Sequence, residues 1–493
     1  MNRQPLGRIE GEIYDVIVIG AGAVGCAAAR QLAGRNFRTL LIDRGDIGAG
    51  TSSRSSRMLY SGLGYLSARY PLWQMVFRPL DMLQKLRYTR DVMQCRAELV
   101  SEMPHHLTKH RFYYPFRKGD RYPSWLVDLG FRLVEALGGW EVPLSYRRRS
   151  RADAAKDSAL AAGLGNSPTA IGVFEEYMYA WPERICMDTA LDAERRGATI
   201  RTYAEVVDIG QAKGLWEVTL NERAPESEGR ARVRARVLIN AAGPWVDRVP
   251  GAGGATAKRV IGIKGVNVMV RLPDSYRGQG LEAFSSKNEP FYVFPWRDYH
   301  FIGPTEAVVT DNPDDVRVQD GEVDYILGEA NRLFPDLKLT RDHVHHCWCG
   351  VRPTSTKTGH STYLPVRLSE EPDKPGLLTL TGSTIMLHRH AARMIATAVE
   401  ARLGKRGAPP QGLIGGNTVD LSDIDRIITN EHVVRLADLI RRRLRDGLDP
   451  DLGRERAEAL SRIAAANLGW SESRRQEELR HFEEDTAKVY RQL

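Results

Sequence analysis

An uninterrupted apolar run of β-formers at residues 16–19 leads into Gly20-Ala21-Gly22-Ala23-Val24-Gly25, and an alanine-rich helical pattern follows over residues 26–32. A second apolar run, residues 39–42, ends in Asp43. Short apolar runs bounded by turn residues predict buried strands, so the order is strand, tight turn, helix, strand, acid. Residues 70–103 carry apolar positions at three- and four-residue intervals and predict helix, closed by Pro104. An amphipathic helix is predicted over 187–197, a strand over 199–208, and strands 216–220 and 233–239 paired across a charged turn. Alternation over 265–272, 290–294 and 300–303 predicts an antiparallel sheet. Strands at 345–349 and 377–380 follow, then a helix over 385–403 and a Pro/Gly linker over 404–416. Residues 421–493 read as predominantly helical.

The expected fold class is therefore α/β: a Rossmann-like nucleotide-binding domain, an antiparallel β-rich substrate domain and a C-terminal helical domain. Residues 1–415 form the main region, with nucleotide segments near 14–70, 185–250 and 345–403 and covering segments near 71–184 and 255–344. Residues 416–493 form the helical domain.

The glycine turn has a chemistry. Gly20 permits the sharp turn, Gly22 lets a pyrophosphate approach the backbone, and Gly25 lets helix and strand pack closely. A diphosphate then sits on free N–H groups at a helix N-terminus. Asp43 falls where a carboxylate accepts hydrogen bonds from a ribose 2′-hydroxyl, which disfavours a 2′-phosphate. The alternative, a mere Gly-rich turn, does not account for strand, helix and acid arriving in register. The hydroxyl-dense loop 51–57 (TSSRSSR) can bond phosphates and a flavin's polar edge, which favours FAD over NAD. A strand ending in Asn240-Ala241-Ala242-Gly243, and another leading to Thr381-Gly382-Ser383-Thr384, bring small residues and a helix start to the same nucleotide.

Composition narrows the classes. The chain has 493 residues, 42% hydrophobic and 27% charged, which suits a soluble globular protein of two or three domains. A net charge of +8 favours anionic surfaces or substrates. Cys26, Cys95, Cys186, Cys347 and Cys349 are odd in number and scattered, as in reduced cytosolic proteins. The polar start carries no secretory signal, and no apolar run reaches the roughly 18 residues of a membrane span. The expected location is cytoplasmic, with peripheral contact on the inner face of the membrane as a further expectation. The basic run 146–151 (YRRRSR) reads as a solvated loop, with an anionic membrane surface as its alternative. No metal is expected: His345-His346-Cys347-Trp348-Cys349 alternates faces in a strand and lacks a second cluster. Glu175-Glu176 and Glu370-Glu371 read as solvated loop acids.

With these pieces placed, the chain resembles the FAD-dependent glycerol-3-phosphate dehydrogenase family, within the glycine/D-amino-acid oxidase-like flavoproteins. VIVIGAGAVG, TSSRSSRMLYSGLGYL, NAAGPWVD, YVFPWRDYHFIGPTE, GVRP and the C-terminal NEHVVRLADLIRRRL with LGW carry the resemblance. It implies FAD contacts at Gly20, Gly22, Gly25, Asp43, Arg44, Thr51, Ser52, Ser53, Ser56 and Met58. Further contacts are implied at Val207, Ala242, Gly243, Gly350, Gly382, Thr384 and Ile385. The implied reaction moves a hydride from an alcohol carbon to flavin N5 and passes electrons to a quinone or oxygen. A small hydroxy compound is the expected substrate; no nucleic acid partner is expected, and a homodimer is.

The active-site positions depart from the family pattern. Lys-Leu-Ile-His-Gly-Gly-Leu-Arg-Tyr is here Arg57-Met58-Leu59-Tyr60-Ser61-Gly62-Leu63-Gly64-Tyr65, so Tyr60 replaces a His and Gly64 an Arg. Lys-Gly-Ser-His becomes Lys264-Gly265-Val266-Asn267, and Gly-Gly-Lys becomes Gly382-Ser383-Thr384. Arg352 persists. Each lost cation removes roughly 1.5–3 kcal/mol of phosphate binding, so the expected substrate is a polyol, polyol phosphate or related hydroxy compound, larger, uncharged or a carboxylate paired with Arg352. The implied catalytic set is Tyr60, Tyr65, Asn267, Arg352 and His388. Tyr60, Tyr65 and His388 are the candidate bases, and Tyr60 needs surroundings that lower its pKa. Two other readings stay open: an amine or amino-acid oxidase, and a flavoprotein that has lost turnover and serves binding or assembly.

Overall fold

The computed structural model describes residues 3–61, 63–66, 77–120, 122–165, 168–252, 259–309, 312–354, 365–414 and 420–493, with backbone only at Leu63, Tyr65 and Leu448. Two sheets organise the chain. In the first, strands Leu377–Thr381, Arg230–Asn240, Ile13–Ile19, Thr39–Ile42 and Thr199–Arg201 run parallel in that order. Arg367–Glu370 adds an antiparallel edge, and the hairpin Ala204–Ala212/Leu215–Glu222 branches from Arg230–Asn240. Parallel strands are buried on both faces, which is why residues 16–19 and 39–42 are continuously apolar rather than alternating. Helices Ala23–Gly34, Pro182–Arg195 and His388–Leu403 cover one face, sharing a core with Val16, Val18 and Leu41. Leu6, Ile9, Trp216 and Val218 help cover the other.

The second sheet joins distant segments in the order Tyr490–Arg491, Val344–Thr354, Ile261–Val270, Tyr299–Gly303, Pro290–Trp296, Gln279–Phe284, Leu107–Phe116, Ala170–Tyr179 and Met58–Leu59. Helix Asp320–Leu333 packs against it through Val323, Ile326, Ala330 and Leu333. The sheet is mixed rather than purely antiparallel, because Gln279–Phe284 runs parallel to Leu107–Phe116. Its strand Val344–Thr354 begins the segment assigned by sequence to the nucleotide side, and only the end of that strand turns toward the nucleotide lobe.

Several local expectations change. The 199–208 strand is two strands, because Tyr203 takes a left-handed conformation (φ 53°) and its N–H bonds Gly45 O. The 187–197 helix starts at Pro182, a residue preorganised for a first helical position, and is buried on every side through Ala193. The helix expected over 70–103 is Pro79–Glu102, and residues 67–76 lie outside the described residues. The basic run is not a loop: Arg147–Ser150 is an edge strand on Ala170–Tyr179. Nor is Glu176 a solvated loop acid. It is fully buried in strand Ala170–Tyr179, accepting from Arg96 Nε at 2.9 Å and from the Ser61 N–H at 2.6 Å.

The C-terminal segment folds as helices Ile424–Asn430, Arg454–Leu468 and Glu472–Val489 around a single π-helical turn at Leu439–Arg443, and the described chain closes on the short strand Tyr490–Arg491. Its three consecutive arginines are buried rather than solvated. Arg442 and Arg443 both bond Asp46, in the loop after the nucleotide strand, with Arg443 Nη2 at 2.7 Å from Oδ1. Arg442 also bonds Asp438 at 2.6 Å, which accepts from Tyr203 Oη at 2.7 Å. Five charged or phenolic side chains thus weld the helical module to the first sheet.

Candidate functional site

A cavity of about 510 Å³ opens between the two sheets. The turn Gly20–Gly22, the first turn of helix Ala23–Gly34, and Asp43 and Arg44 line one end. Gly20 adopts φ 105°, which only glycine holds without strain, and a Cβ there would lie 2.7 Å from Ala241 O. Gly22 also lines the cavity, and its missing side chain leaves backbone exposed there. Gly25 does not reach the cavity. Its Cβ would lie 1.7 Å from Gly20 O, so it serves the helix–strand contact alone.

Asp43 is held by two backbone donors, Ala21 N at 2.7 Å and Gly45 N at 2.8 Å, and burial raises its pKa. Arg44 lies over the Trp245 ring and bonds Asp314 at 2.8 Å. Ser52 Oγ accepts from the Ala23 N–H at 3.0 Å and Thr51 Oγ1 donates to Val351 O at 2.8 Å, so the hydroxyl loop ties both sheets to the helix start. Ala242, Gly243, Gly350, Gly382, Thr384 and Ile385 line the middle, joined by Ser56 and Met58. Thr384 Oγ1 is buried there with no hydrogen-bond partner among the described residues.

Besides Gly25, two expected contacts are absent from this lining. Ser53 turns its hydroxyl to Gly50 O at 3.0 Å and borders a second, smaller cavity. Val207 is left unpaired at a register shift, and its neighbour Val206 faces the cavity.

The other end is made of side chains. Ser56 Oγ donates to Asn267 Oδ1 at 3.2 Å, and Arg352 Nη1 donates to Glu306 Oε1 at 3.2 Å. Gly265 makes room for that guanidinium: a Cβ there would lie 2.3 Å from Arg352 Nη2. Tyr60 and Tyr292 stand edge to face, ring centroids 6.0 Å apart. Tyr60 Oη accepts from the Gly64 N–H at 2.6 Å and donates to Glu282 Oε1 at 3.0 Å. A Cβ at position 64 would come within 2.7 Å of Tyr60 Oη, so the two departures at Tyr60 and Gly64 are a single coupled change.

The electrostatics overturn part of the expected base list. Burial, with Glu282 beside it, holds the Tyr60 pKa well above 10 rather than lowering it. His388 is the first residue of its helix, fully buried and away from the cavity lining. Burial next to Arg389 pushes its pKa down to about 3. The side chain of Tyr65 lies outside the described residues. The sequence reasoning missed Glu306, quoted only within FIGPTE, and Tyr292 and Glu282. The available signal was an acid inside the apolar strand GLEAF.

Among the described residues no group of three His, Cys, Asp or Glu side chains is placed to hold a metal ion. A nucleotide-shaped end with a glycine cradle, an anchored acid and an orphaned hydroxyl fits FAD. The sequence model of the FAD dependent oxidoreductase group matches residues 15–398. The chain belongs to that family. It is thus an FAD-dependent oxidoreductase, and Gly20, Gly22, Asp43, Ser52 and Thr384 line its cavity.

Among similar curated proteins, D-erythritol 1-phosphate dehydrogenase of Brucella abortus is 30% identical over 357 residues, 70% of this chain and 64% of that protein. Glycerol-3-phosphate dehydrogenase of Synechocystis sp. is 28% identical over 422 residues, 82% of this chain and 72% of that protein. The chain therefore spans less than two thirds of the first relative's length. The crystal structure of glycerol-3-phosphate dehydrogenase from Bacillus halodurans, complexed with FAD, superposes with a TM-score of 0.73 at 20% identity, covering 98% of this chain and 96% of that one. Glycine oxidase from Geobacillus kaustophilus gives 0.55 at 22% identity over 82% of this chain and 99% of that one.

Proposed function

We infer that this flavoprotein oxidises an alcohol carbon of a polyol-type hydroxy compound. The observation that carries the reading is the make-up of the cavity's side-chain end. The Arg352 guanidinium is matched there by Glu306, and Ser56, Asn267, Tyr60 and Tyr292 add hydroxyl and amide groups; of the other arginines lining the cavity, Arg57 is paired with Glu183 and Arg54 lies toward the second cavity. Such a surface hydrogen-bonds successive hydroxyls, and an arginine already shared with a carboxylate is a weaker clamp for a phosphate dianion than an unpaired one. When bound, FAD supplies the hydride acceptor. The protein's own residues orient the carbinol and manage its proton.

The relatives' printed names support polyol phosphates as the first compounds to test. Anaerobic bleaching of the enzyme-bound flavin by polyols, their phosphates, hydroxy acids and amino acids decides the matter. The expected result is bleaching by a polyol or a longer polyol phosphate, with glycerol 3-phosphate slow. Fast bleaching by glycerol 3-phosphate would overturn the substrate reading, and ammonia release from an amino acid would make the enzyme an amine oxidase. Bleaching by none of them would favour the binding or assembly role.

The electron acceptor reading rests on the surface. Helix Ser124–Leu137 exposes Trp125, Leu129 and Leu133 at 63%, 54% and 37%, one stripe at four-residue spacing, and Phe77 and Leu80 are 76% and 74% exposed. Beside them the exposed strand Arg147–Ser150 is basic. This combination supports peripheral contact with an anionic lipid surface and a membrane quinone as acceptor. No helix among the described residues is long and apolar enough to cross a membrane. Co-sedimentation with anionic vesicles tests the contact, and binding that persists in Trp125→Ser/Leu129→Ser would place it elsewhere.

A further inference from the structure

Glu282 is out of place by ordinary rules. It is 6% exposed in an apolar strand, and among the described residues it has no ion pair. A buried carboxyl without a cation is costly unless it keeps its proton. The groups facing it come from four neighbouring segments: Tyr60, Tyr292, Tyr114 and Glu176. Glu176 pairs with Arg96 and accepts from the Ser61 N–H, and its proximity adds to the rise in the Glu282 pKa. Among the described residues Tyr60 and Tyr292 link Glu282 to the cavity, and Tyr60 does so by a defined 3.0 Å hydrogen bond.

We propose that Glu282, acting through Tyr60, is the positioning residue that takes up the substrate's hydroxyl proton. The inference rests on the alcohol-oxidation reading above. In the step, the substrate O–H bond breaks and a new O–H bond forms on Tyr60 Oη. Tyr60's own proton passes at the same time to Glu282 Oε1. The C–H bond electrons leave as hydride for the oxidised flavin, so the substrate becomes a ketone, the flavin is reduced, and the one proton ends on Glu282. Tyr60 stays neutral throughout, which reconciles its high pKa with a role in proton transfer. Gly64 belongs to the device because its N–H orients Tyr60 Oη and its lack of a Cβ leaves that oxygen in place.

Burial sets the Glu282 pKa at about 8. The relay needs the carboxylate, so single-turnover flavin reduction by the fastest compound of the bleaching screen should rise with pH and level off above about 8. In Glu282→Gln, which keeps the hydrogen-bonding shape, reduction should fall at least about 30-fold at high pH and lose that limb. Tyr60→Phe should do the same. A purely structural role would slow all pH values alike and leave the limb in place. That result would overturn the proposal, as would loss of the limb in Glu306→Gln but not in Glu282→Gln.

Thermal unfolding of the FAD-loaded protein gives a second readout without turnover. A carboxyl whose folded pKa is raised binds its proton in the folded state first, so its contribution is lost as pH rises from about 4.5 to 8. Glu282→Gln cannot lose it, and its Tm should gain on the wild type steadily across that range. A constant Tm difference would overturn the neutral, buried carboxyl on which the relay depends. If no alcohol bleaches the flavin, the oxidation reading falls and the relay with it, whereas bleaching without the pH limb removes the relay alone.

Discussion

The two ends of the cavity are built by opposite means. At the nucleotide end the ligand-facing groups are backbone and small side chains, fixed by contacts between residues near in sequence, such as Ala21 N to Asp43 and Ala23 N to Ser52. At the substrate end they are long side chains fixed across the fold. Ser56 meets Asn267, Tyr60 meets Glu282, and Arg352 meets Glu306. The first end tolerates almost no added atom; the second tolerates exchange provided that partners change together. A family can therefore keep one cofactor while its substrates diverge.

The strongest way to break the contrast is Gly25→Val. With the Cβ 1.7 Å from Gly20 O, helix and strand must part, at about 3 kcal/mol or more. The expected outcome is little folded holoprotein, read as the ratio of flavin to protein absorbance. At the other end, Arg352→Ala should leave the fold intact and reduce kcat/KM by about 10²-fold, the worth of one or two charge-assisted hydrogen bonds. Lys at the position should recover little of it, because Gly265 makes room for a planar guanidinium.

Acid should act through three buried histidines, two on the substrate sheet and one at the start of helix His388–Leu403 beside the first sheet. Burial pushes His300 to about 4 and His346 to about 3, and His388 likewise to about 3. These stay neutral in the folded state while the unfolded chain binds protons below about 6.5, so stability is full above that pH and is lost as pH falls. Each site contributes at most about 1.4 kcal/mol per pH unit. Urea unfolding midpoints that stay level from pH 6.5 to 5 would contradict this assignment.

Smaller effects sharpen the coupled exchange. Gly64→Ala should slow flavin reduction about tenfold by displacing Tyr60 Oη, on the order of 1.4 kcal/mol. Added to Tyr60→Phe it should cost almost nothing more, since the clashing oxygen is gone. Additive losses in stopped-flow traces would show the two positions to be independent. Least of all, Trp125→Ser/Leu129→Ser should leave flavin reduction within about twofold while weakening vesicle binding.

This contrast also explains what could be read from the chain alone. The nucleotide unit was legible because its logic is local: Gly20, Gly22, Gly25 and Asp43 stand in fixed spacing within one strand–helix–strand unit. Even there Val207 was displaced by one residue, since a bulge leaves no mark in the hydrophobic pattern. At the substrate end the replacements at Tyr60, Gly64 and Asn267 were visible, but not what they contact. Nothing near position 60 signals an acid at 282, and the pKa of Tyr60 is raised first by burial and then by that long-range partner. The burial of the arginines in Leu439–Arg443 was not legible for the same reason: its cause is Asp46, almost 400 residues away, together with Asp438.

The Asp46–Arg442–Arg443 weld sets an order of events during synthesis. Asp46 emerges early, yet the guanidinium groups that make its burial tolerable come almost 400 residues later. At about 5–20 residues per second, the ribosome needs roughly 20–80 s to deliver them. Until then the loop after the nucleotide strand holds an acid without the two guanidinium groups that make its burial tolerable, so that part of the lobe can seal only after residues 442 and 443 have been added.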